Sequence, residues 1–115
     1  MEIINKKTPL SKLKSDYMHY FDSVIKADVD ILQCIIAVDG DLHADLESLL
    51  LENGSEQENI WGINLYPFKD KTEFIEFTSL INIRPAMNNL SMEIEDESIK
   101  TEITKIVNEL IDFDS

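Results

Sequence analysis

Hydrophobic and polar positions follow a helical period at the two ends of the chain. Near the C-terminus, apolar residues recur at spacings of 4, 3, 1, 3 and 1, as expected for one face of an amphipathic helix. They are Ile99, Ile103, Ile106, Val107, Leu110 and Ile111. Asp96 precedes them as an acidic cap. A similar period predicts a first helix over 9–22, with Thr8 at the cap and Pro9 at the first helical position.

After the predicted first helix, apolar and polar residues alternate with the period of two that is typical of β-strands. Residues 24–31 and 33–38 favour β-structure and predict a hairpin, and Ile3-Ile4 predicts a short strand before it. The turn dipeptide Asp39-Gly40 ends the second hairpin strand. Residues 42–51 then predict a short helix, ended by Asn53-Gly54.

Two longer strands are predicted over 60–66 and 74–84, joined by a loop over 67–71. If Tyr66 lies opposite Phe74, paired residue numbers sum to 140, so Asn64 faces Glu76 and Gly62 faces Thr78. The predicted core face is Trp61, Ile63, Leu65, Ile75, Phe77, Ile81 and Ile83. The predicted polar face, where a function would lie, is Gly62, Asn64, Tyr66, Glu76, Thr78, Asn82 and Arg84.

Together these elements predict an α+β fold with a mainly antiparallel sheet of four or five strands and two or three helices. With 115 residues, of which 43% are hydrophobic, we expect residues 1–115 to form a single domain. No apolar run reaches the roughly 18 to 20 residues of a membrane-spanning helix, and the first residues lack a secretory signal pattern. We therefore expect a cytoplasmic protein that does not insert into membranes.

Cys34 and His19 are residues of reactive types, and for both of them the sequence favours a structural role. Cys34 is the only cysteine and sits inside an apolar run, which predicts a buried, inert thiol. His19 falls within the predicted first helix and has no obvious partner acid, which predicts an ordinary helix residue.

Charge is distributed unevenly. Residues 1–26 hold five lysines and three acids, whereas the net charge of the whole chain is −13. No lysine or arginine occurs between Lys26 and Lys69, an interval that contains nine acids. Such a surface repels phosphate backbones, so ordinary nucleic-acid binding is disfavoured and a basic protein partner is favoured.

Five side chains that can bind metals alternate at every second position of 39–47, namely Asp39, Asp41, His43, Asp45 and Glu47. In an extended segment they would share one face and could hold a divalent metal. If a helix begins at Leu42, only His43 and Glu47 share a face, and Asp45 leaves it. The alternative interpretation is a turn followed by a helix with an acidic first turn, and we favour it.

Arg84 is the only arginine, and Pro85 after it favours an extended backbone. Its guanidinium, near Asn82, Asn88 and Asn89, suits an anionic ligand. The alternative, which we favour in so acidic a chain, is an internal ion pair with Glu76, Asp45 or Glu47.

Asn64 and Tyr66 lie on the predicted polar face next to Gly62, where they could bind a ligand or form a plain outer strand face. No nucleophile elbow, phosphate loop, dinucleotide fingerprint or cysteine metal motif is present.

Four sequence blocks resemble a family of small prokaryotic proteins that form a domain of unknown function. They are Leu42-His43-Ala44-Asp45, Gly54-Ser55 with Gln57, Trp61-Gly62-Ile63-Asn64-Leu65-Tyr66-Pro67, and Ile81-Asn82-Ile83-Arg84-Pro85. The resemblance extends over about residues 3–111. It implies single-domain size and a bacterial or archaeal origin, and it implies no reaction.

Two functions from different classes remain open. The first, which we favour, is a noncatalytic acidic module that binds a basic protein through residues 39–58. The second is a small metal-dependent hydrolase or anionic-ligand-binding protein that uses His43, Asp45 and Glu47 with Asn82 and Arg84. An acidic mimic of nucleic acid is a third possibility.

Overall fold

The computed structural model describes residues 1–114, and five antiparallel strands form its main sheet. In chain order the elements are β1 (Glu2–Ile4), β2 (Thr8–Pro9), α1 (Leu10–Asp16), β3 (Ile25–Asp30), β4 (Ile35–Val38), α2 (His43–Glu52), β5 (Ile60–Leu65), β6 (Ile75–Glu76), α3 (Glu97–Leu110) and β7 (Ile111–Asp112). The main sheet has the strand order β1-β4-β3-β5-β6, and β2 pairs with β7 in a small parallel sheet. The predicted α+β class, with a mainly antiparallel sheet of four or five strands and two or three helices, is therefore confirmed, and the structure has five strands in that sheet and three α-helices among residues 1–114.

The main sheet separates two hydrophobic clusters. Side chains that alternate along β3, such as Ala27 and Val29, point to the larger cluster, which α1 and α3 cover. The opposite face packs against α2 through a smaller cluster of Ala37, Leu46, Leu50 and Ile60. The helices α2 and α3 thus lie on opposite faces of the sheet. No helix in the part of the chain that the structure describes has the length and apolar character needed to cross a membrane.

Several local predictions are confirmed. The strands β3 and β4 form the expected hairpin, α2 ends at Asn53-Gly54, and Gly54 has a positive φ of 93°. The side chain of Asp96 caps α3 by accepting a hydrogen bond from the backbone N–H of Ser98 at 2.8 Å.

The pairing of β5 with β6 begins in the predicted register but is short. Asn64 lies opposite Glu76, as expected, and the strand then ends at Glu76. The predicted pairing of Gly62 with Thr78 is wrong, because Thr78 bridges to Glu93. The rest of the predicted strand is a loop that contains a short 3-10 turn at 80–82, and a second such turn follows at 85–87.

The end of this strand also changes two predicted core positions. Trp61, Ile63 and Leu65 are buried in the larger cluster, with Ile75 and Phe77 packed against it, as predicted. Ile81 instead packs against the smaller cluster on the opposite face, and Ile83 is 43% exposed.

The first helix is shorter than the predicted 9–22, because it ends at Asp16. A single acid holds the chain that follows: Asp39 accepts hydrogen bonds from the backbone N–H of His19 at 2.9 Å and from its ring Nδ1. His19 therefore has a partner acid, contrary to the sequence-based expectation. Asp39 is buried and lies in a left-handed turn with φ 65°, so it fixes the 17–24 segment to the end of β4.

Cys34 is exposed, so its predicted burial is wrong. Cys34 lies in the β3–β4 turn and has a backbone φ of 57°. This conformation turns its side chain away from the apolar side chains of the neighbouring residues.

Gly62 is the position where the loop after β6 comes closest to β5. A β-carbon at this position would lie 2.5 Å from Cβ of Ser79, well inside a normal contact. We expect Gly62→Ala to lower the free energy of unfolding by about 1 to 3 kcal/mol, measured by urea denaturation, because the loop must shift. In a Ser79→Gly background the same substitution should lower the free energy of unfolding by clearly less. Equal decreases in both backgrounds would contradict this steric origin.

Candidate functional site

The loop over residues 79–94 follows the truncated strand and is fixed to the sheet by Asn82. This asparagine is fully buried. Its Oδ1 accepts a hydrogen bond from the N–H of Gly62 at 2.8 Å, and its Nδ2 donates to the carbonyl oxygen of Gly62 at 2.9 Å. The side-chain amide thus replaces the backbone of a neighbouring strand at the edge of β5.

A second buried asparagine, Asn89, holds the two arms of this loop together. Its Nδ2 donates to the carbonyl oxygens of Asn82, Ser91 and Glu93 at 2.8, 3.0 and 2.9 Å. Its Oδ1 accepts from the N–H of Glu95 at 2.8 Å. The loop backbone is therefore fixed by internal polar contacts, and little apolar packing is needed to hold it.

The loop presents large apolar side chains to solvent. They are Leu80 at 73% exposed, Ile83 at 43%, Met87 at 40%, Leu90 at 70% and Met92 at 44%. Single exposed apolar residues are common, but five within 13 residues of one ordered loop are typical of an interaction surface.

Helix α2 lies beside this loop. Leu46 and Leu50 face the sheet and are fully buried. Ala44 lines a cavity together with Leu80, and Glu47 reaches Arg84, so the flank of α2 that carries Ala44 and Glu47 is turned towards the loop. We call the surface between this flank of α2 and Leu80, Ile83 and Met87 the α2–loop groove.

An ion pair links the two sides of the α2–loop groove. Nη2 of Arg84 lies 3.3 Å from Oε2 of Glu47, and the guanidinium sits over the Trp61 ring at 5.0 Å. Both charged side chains are largely buried, at 11% and 16% exposed. The internal pair that the sequence favoured for Arg84 is thus present, and one of its three proposed partners, Glu47, provides it.

Two cavities are lined by residues of the 79–94 loop. The first, of about 300 Å³, lies at the start of α2 and is lined by Lys26, Leu42, His43, Ala44, Ser79, Leu80 and Ile81. The second, of about 280 Å³, is lined by Gln57, Glu58, Arg84, Pro85, Ala86 and Met87. Leu80 thus lines the first cavity and Met87 the second.

The acids of the base-free interval divide into two sets. Asp28, Asp30 and Asp39 are buried, and Glu47 is paired with Arg84. The remaining five are exposed: Asp41, Asp45, Glu52, Glu56 and Glu58. They lie on α2 or in the segments directly before and after it, so the exposed acids of this interval all lie on or next to α2.

The five side chains of the proposed metal site point in different directions. Because α2 begins at His43, only His43 and Glu47 share a helix face, and Asp45 lies on another flank. Nε2 of His43 donates to the carbonyl oxygen of Ile63 at 2.9 Å, and burial lowers the pKa of the imidazole. Within residues 1–114 no group of three or more His, Cys, Asp or Glu side chains is arranged to hold a metal ion.

The positions proposed for an anionic ligand are engaged with the protein itself. Nδ2 of Asn64 donates to Oε1 of Glu76 at 2.8 Å, and the hydroxyl of Tyr66 donates to the same oxygen at 3.1 Å. With Asn82 on Gly62 and Arg84 on Glu47, these four side chains are not gathered around one cavity. The metal and anion hypotheses stay predictions without geometric support.

Asp28 is a buried acid beneath α2 that the sequence did not single out. It is fully buried, and neither carboxyl oxygen has a hydrogen-bond partner among the described residues. Burial raises the pKa of Asp28 well above its usual range, and nearby Glu47 raises it further, whereas Arg84 opposes the shift. Burial and Glu47 therefore both favour the neutral form of this carboxyl group, whereas the Arg84 guanidinium favours the charged form.

These features define a small α+β domain with an antiparallel sheet, on which an internally fixed loop and a helix form an acidic, partly apolar groove. The chain belongs to the family described as Protein of unknown function (DUF5674), whose model matches residues 2–110. The resemblance to a domain of unknown function is thereby confirmed. A search of curated proteins found no match, and a search of solved structures found none either.

We expect Asn82→Ala to be strongly destabilising, because it leaves the buried N–H and C=O of Gly62 without partners. Two such groups predict a loss of about 2 to 4 kcal/mol in the free energy of unfolding, measured by urea denaturation. Asn108→Ala, at an exposed position on α3, is the matched control and should change stability by less than about 0.5 kcal/mol. Equal stability of the two variants would contradict the role of Asn82.

We expect Asp28→Asn to change how stability depends on pH. The pKa of Asp28 is raised in the folded state, so its contribution to stability is fully present below about pH 4 and is lost as pH rises through the folded pKa. The neutral amide avoids that loss. The melting temperature of the variant relative to wild type should therefore increase from about pH 4 to about pH 8. A difference that is constant over this range would show that Asp28 ionises normally.

Proposed function

We propose that this protein is a noncatalytic binding module that receives a basic protein partner at the α2–loop groove. The observation that carries the proposal is the loop over 79–94, which exposes five large apolar side chains from a backbone fixed by Asn82 and Asn89. A preorganised loop loses little conformational entropy on binding, so its apolar surface contributes more fully to affinity.

The charge of the groove's surroundings favours a basic partner. Five exposed acids lie on or next to α2, and the bases that line the two cavities are Lys26 and Arg84, of which Arg84 already pairs with Glu47. Carboxylates around an apolar centre attract a basic surface and repel acidic competitors, which gives both association rate and selectivity.

The test compares three versions of the chain as baits in affinity capture. Asp45→Lys with Glu52→Lys reverses two exposed acids that are seven positions apart on α2. Glu102→Lys with Glu109→Lys makes the same net charge change at the same spacing on α3, across the sheet. We expect a basic partner that wild type and the α3 variant retain and that the α2 variant loses.

Salt provides the second readout, because attraction between exposed charges weakens as ionic strength rises. Retention by the wild-type bait should fall between low and physiological salt. A partner set that is identical for all three baits, or retention that does not respond to salt, would count against the proposal.

A further inference from the structure

We infer that the partner of the α2–loop groove is a second copy of this chain, which binds through a lysine-rich surface formed by α1 and the 66–73 segment. This inference rests on the proposed function and identifies the partner. Copies of the chain then associate head to tail, with the acidic surface of one against the basic surface of the next.

Six of the nine lysines lie in two segments, residues 6–16 and residues 66–73. The two segments also hold three acids, so together they carry a net charge of +3 in a chain whose net charge is −13. All six lysines are exposed, and no ion pair among residues 1–114 includes any of them. Their ammonium groups are therefore available to the carboxylates of another molecule.

Aromatic rings bring the two segments together. Nζ of Lys14 on α1 lies 5.2 Å from the centre of the Phe68 ring. Nζ of Lys71 lies 4.9 Å from the centre of the Phe113 ring, which follows β7, and β7 pairs with β2 in the first segment. Phe68 is 65% exposed, so the two segments present an apolar ring beside positive charge. We call this the lysine surface.

The lysine surface has the chemistry that the proposed function requires of a partner. The α2–loop groove combines exposed apolar side chains such as Leu80 with exposed carboxylates such as Asp45 and Glu52. The lysine surface combines an exposed ring with the opposite charge. Apolar contact with opposite charges around it gives both affinity and selection of the partner.

The helices that carry these charges lie on opposite faces of the main sheet. Leu13 of α1 packs in the larger hydrophobic cluster, whereas Leu46 and Leu50 of α2 pack in the smaller one. A contact between α1 of one copy and α2 of another is heterologous, so each copy keeps one surface of each kind open for a further copy. The assembly therefore grows beyond a dimer unless it closes into a ring.

Nucleic acid is the other macromolecule that binds lysines and aromatic rings together. The net charge of −13 repels a phosphate backbone, and the chain itself provides a surface with exposed carboxylates that match the lysines. Both observations favour a second copy over nucleic acid.

Sedimentation velocity of the full chain tests the inference with three serine variants. Phe68→Ser alters the lysine surface and Leu80→Ser alters the α2–loop groove. Leu32→Ser is the matched control, because Leu32 is 71% exposed in the β3–β4 turn, against 65% for Phe68 and 73% for Leu80. Wild type and Leu32→Ser should form species larger than a dimer as concentration rises to about 1 mM. Phe68→Ser and Leu80→Ser should each associate at least about tenfold more weakly.

A mixture of Phe68→Ser and Leu80→Ser gives the sharpest result. The unaltered α2–loop groove of the Phe68→Ser chain should bind the unaltered lysine surface of the Leu80→Ser chain. Only altered surfaces are then left open, so the mixture should form dimers and grow no further. A mixture that stays monomeric, or a Leu32→Ser control that is weakened as much as the other two variants, would overturn the inference.

A charge change tests the role of the lysines. Lys14→Glu should weaken association at least about fivefold, whereas Lys105→Glu, the same change at an exposed position on α3, should leave it within about twofold of wild type. Equal weakening by both variants would show that only net charge matters, and this would overturn the inference.

The outcomes separate this inference from the proposed function. If affinity capture finds a basic protein at α2 while wild type stays monomeric up to about 1 mM, the proposed function stands and the inference is overturned. Association that is unchanged by Asp45→Lys with Glu52→Lys also overturns the inference. If no protein is captured and wild type stays monomeric, both are overturned. Binding of fluorescent single-stranded DNA by a monomeric wild type, abolished by Phe68→Ser, would overturn the inference in favour of nucleic acid.

Discussion

The pair of hydrogen bonds between the Asn82 side chain and the backbone of Gly62 is the interaction on which the functional surface depends. It satisfies the edge of β5 at the point where β6 has already ended, so the chain can leave the sheet without orphaned backbone groups. The loop over 79–94 is the direct result. Without this contact the same residues would either continue as a strand or lose their fixed position against α2.

The position of Arg84 follows from the same contact. Two residues after Asn82, its guanidinium reaches Glu47 on α2 and stacks on Trp61. A largely buried ion pair is weak evidence for stability, because desolvation offsets much of the attraction. The ion pair has a clearer effect on geometry, because it fixes the distance between α2 and the loop and therefore the width of the groove. Burial raises the pKa of the nearby Asp28, which favours a neutral carboxyl group over a second negative charge beside the single guanidinium.

Residue periodicity was sufficient to predict the fold class, the β3–β4 hairpin, helices α2 and α3, and the register that pairs Asn64 with Glu76. These features depend on local spacing and turn residues, which the sequence displays directly. Two of the failures occur beside a long-range contact between a side chain and the backbone. Asp39 binds the N–H of His19 in the segment after the short first helix, and Asn82 binds Gly62 where the last strand of the sheet has ended.

The site was harder to predict than the fold for the same reason. Asn82 and Arg84 were predicted to bind an anionic ligand because of their chemistry. In the structure Asn82 binds Gly62 and Arg84 pairs with Glu47, so both hold the surface in place. The loop over 79–94 carries the exposed apolar side chains. Its first residues were predicted to belong to the strand over 74–84, and the residues after them were predicted to be a polar connection. Asn89, which bonds to four loop residues, had no signal apart from the neighbouring asparagines. Only the three-dimensional structure shows that these amides converge.

The number of acids in the sequence is larger than the number that a partner could contact, because the fold buries some of them. Of the nine acids between Lys26 and Lys69, the buried Asp30 accepts hydrogen bonds from Ser55 and Gln33, and Asp39 holds the 17–24 segment. These carboxylates bind groups of the protein itself and are not exposed for direct contact with a partner. The acids that stay exposed all border α2, next to a loop whose apolar side chains have no neighbour to cover them within residues 1–114. Exposed apolar area favours association and the surrounding carboxylates restrict which partners associate, so this combination favours selective binding over general solubility.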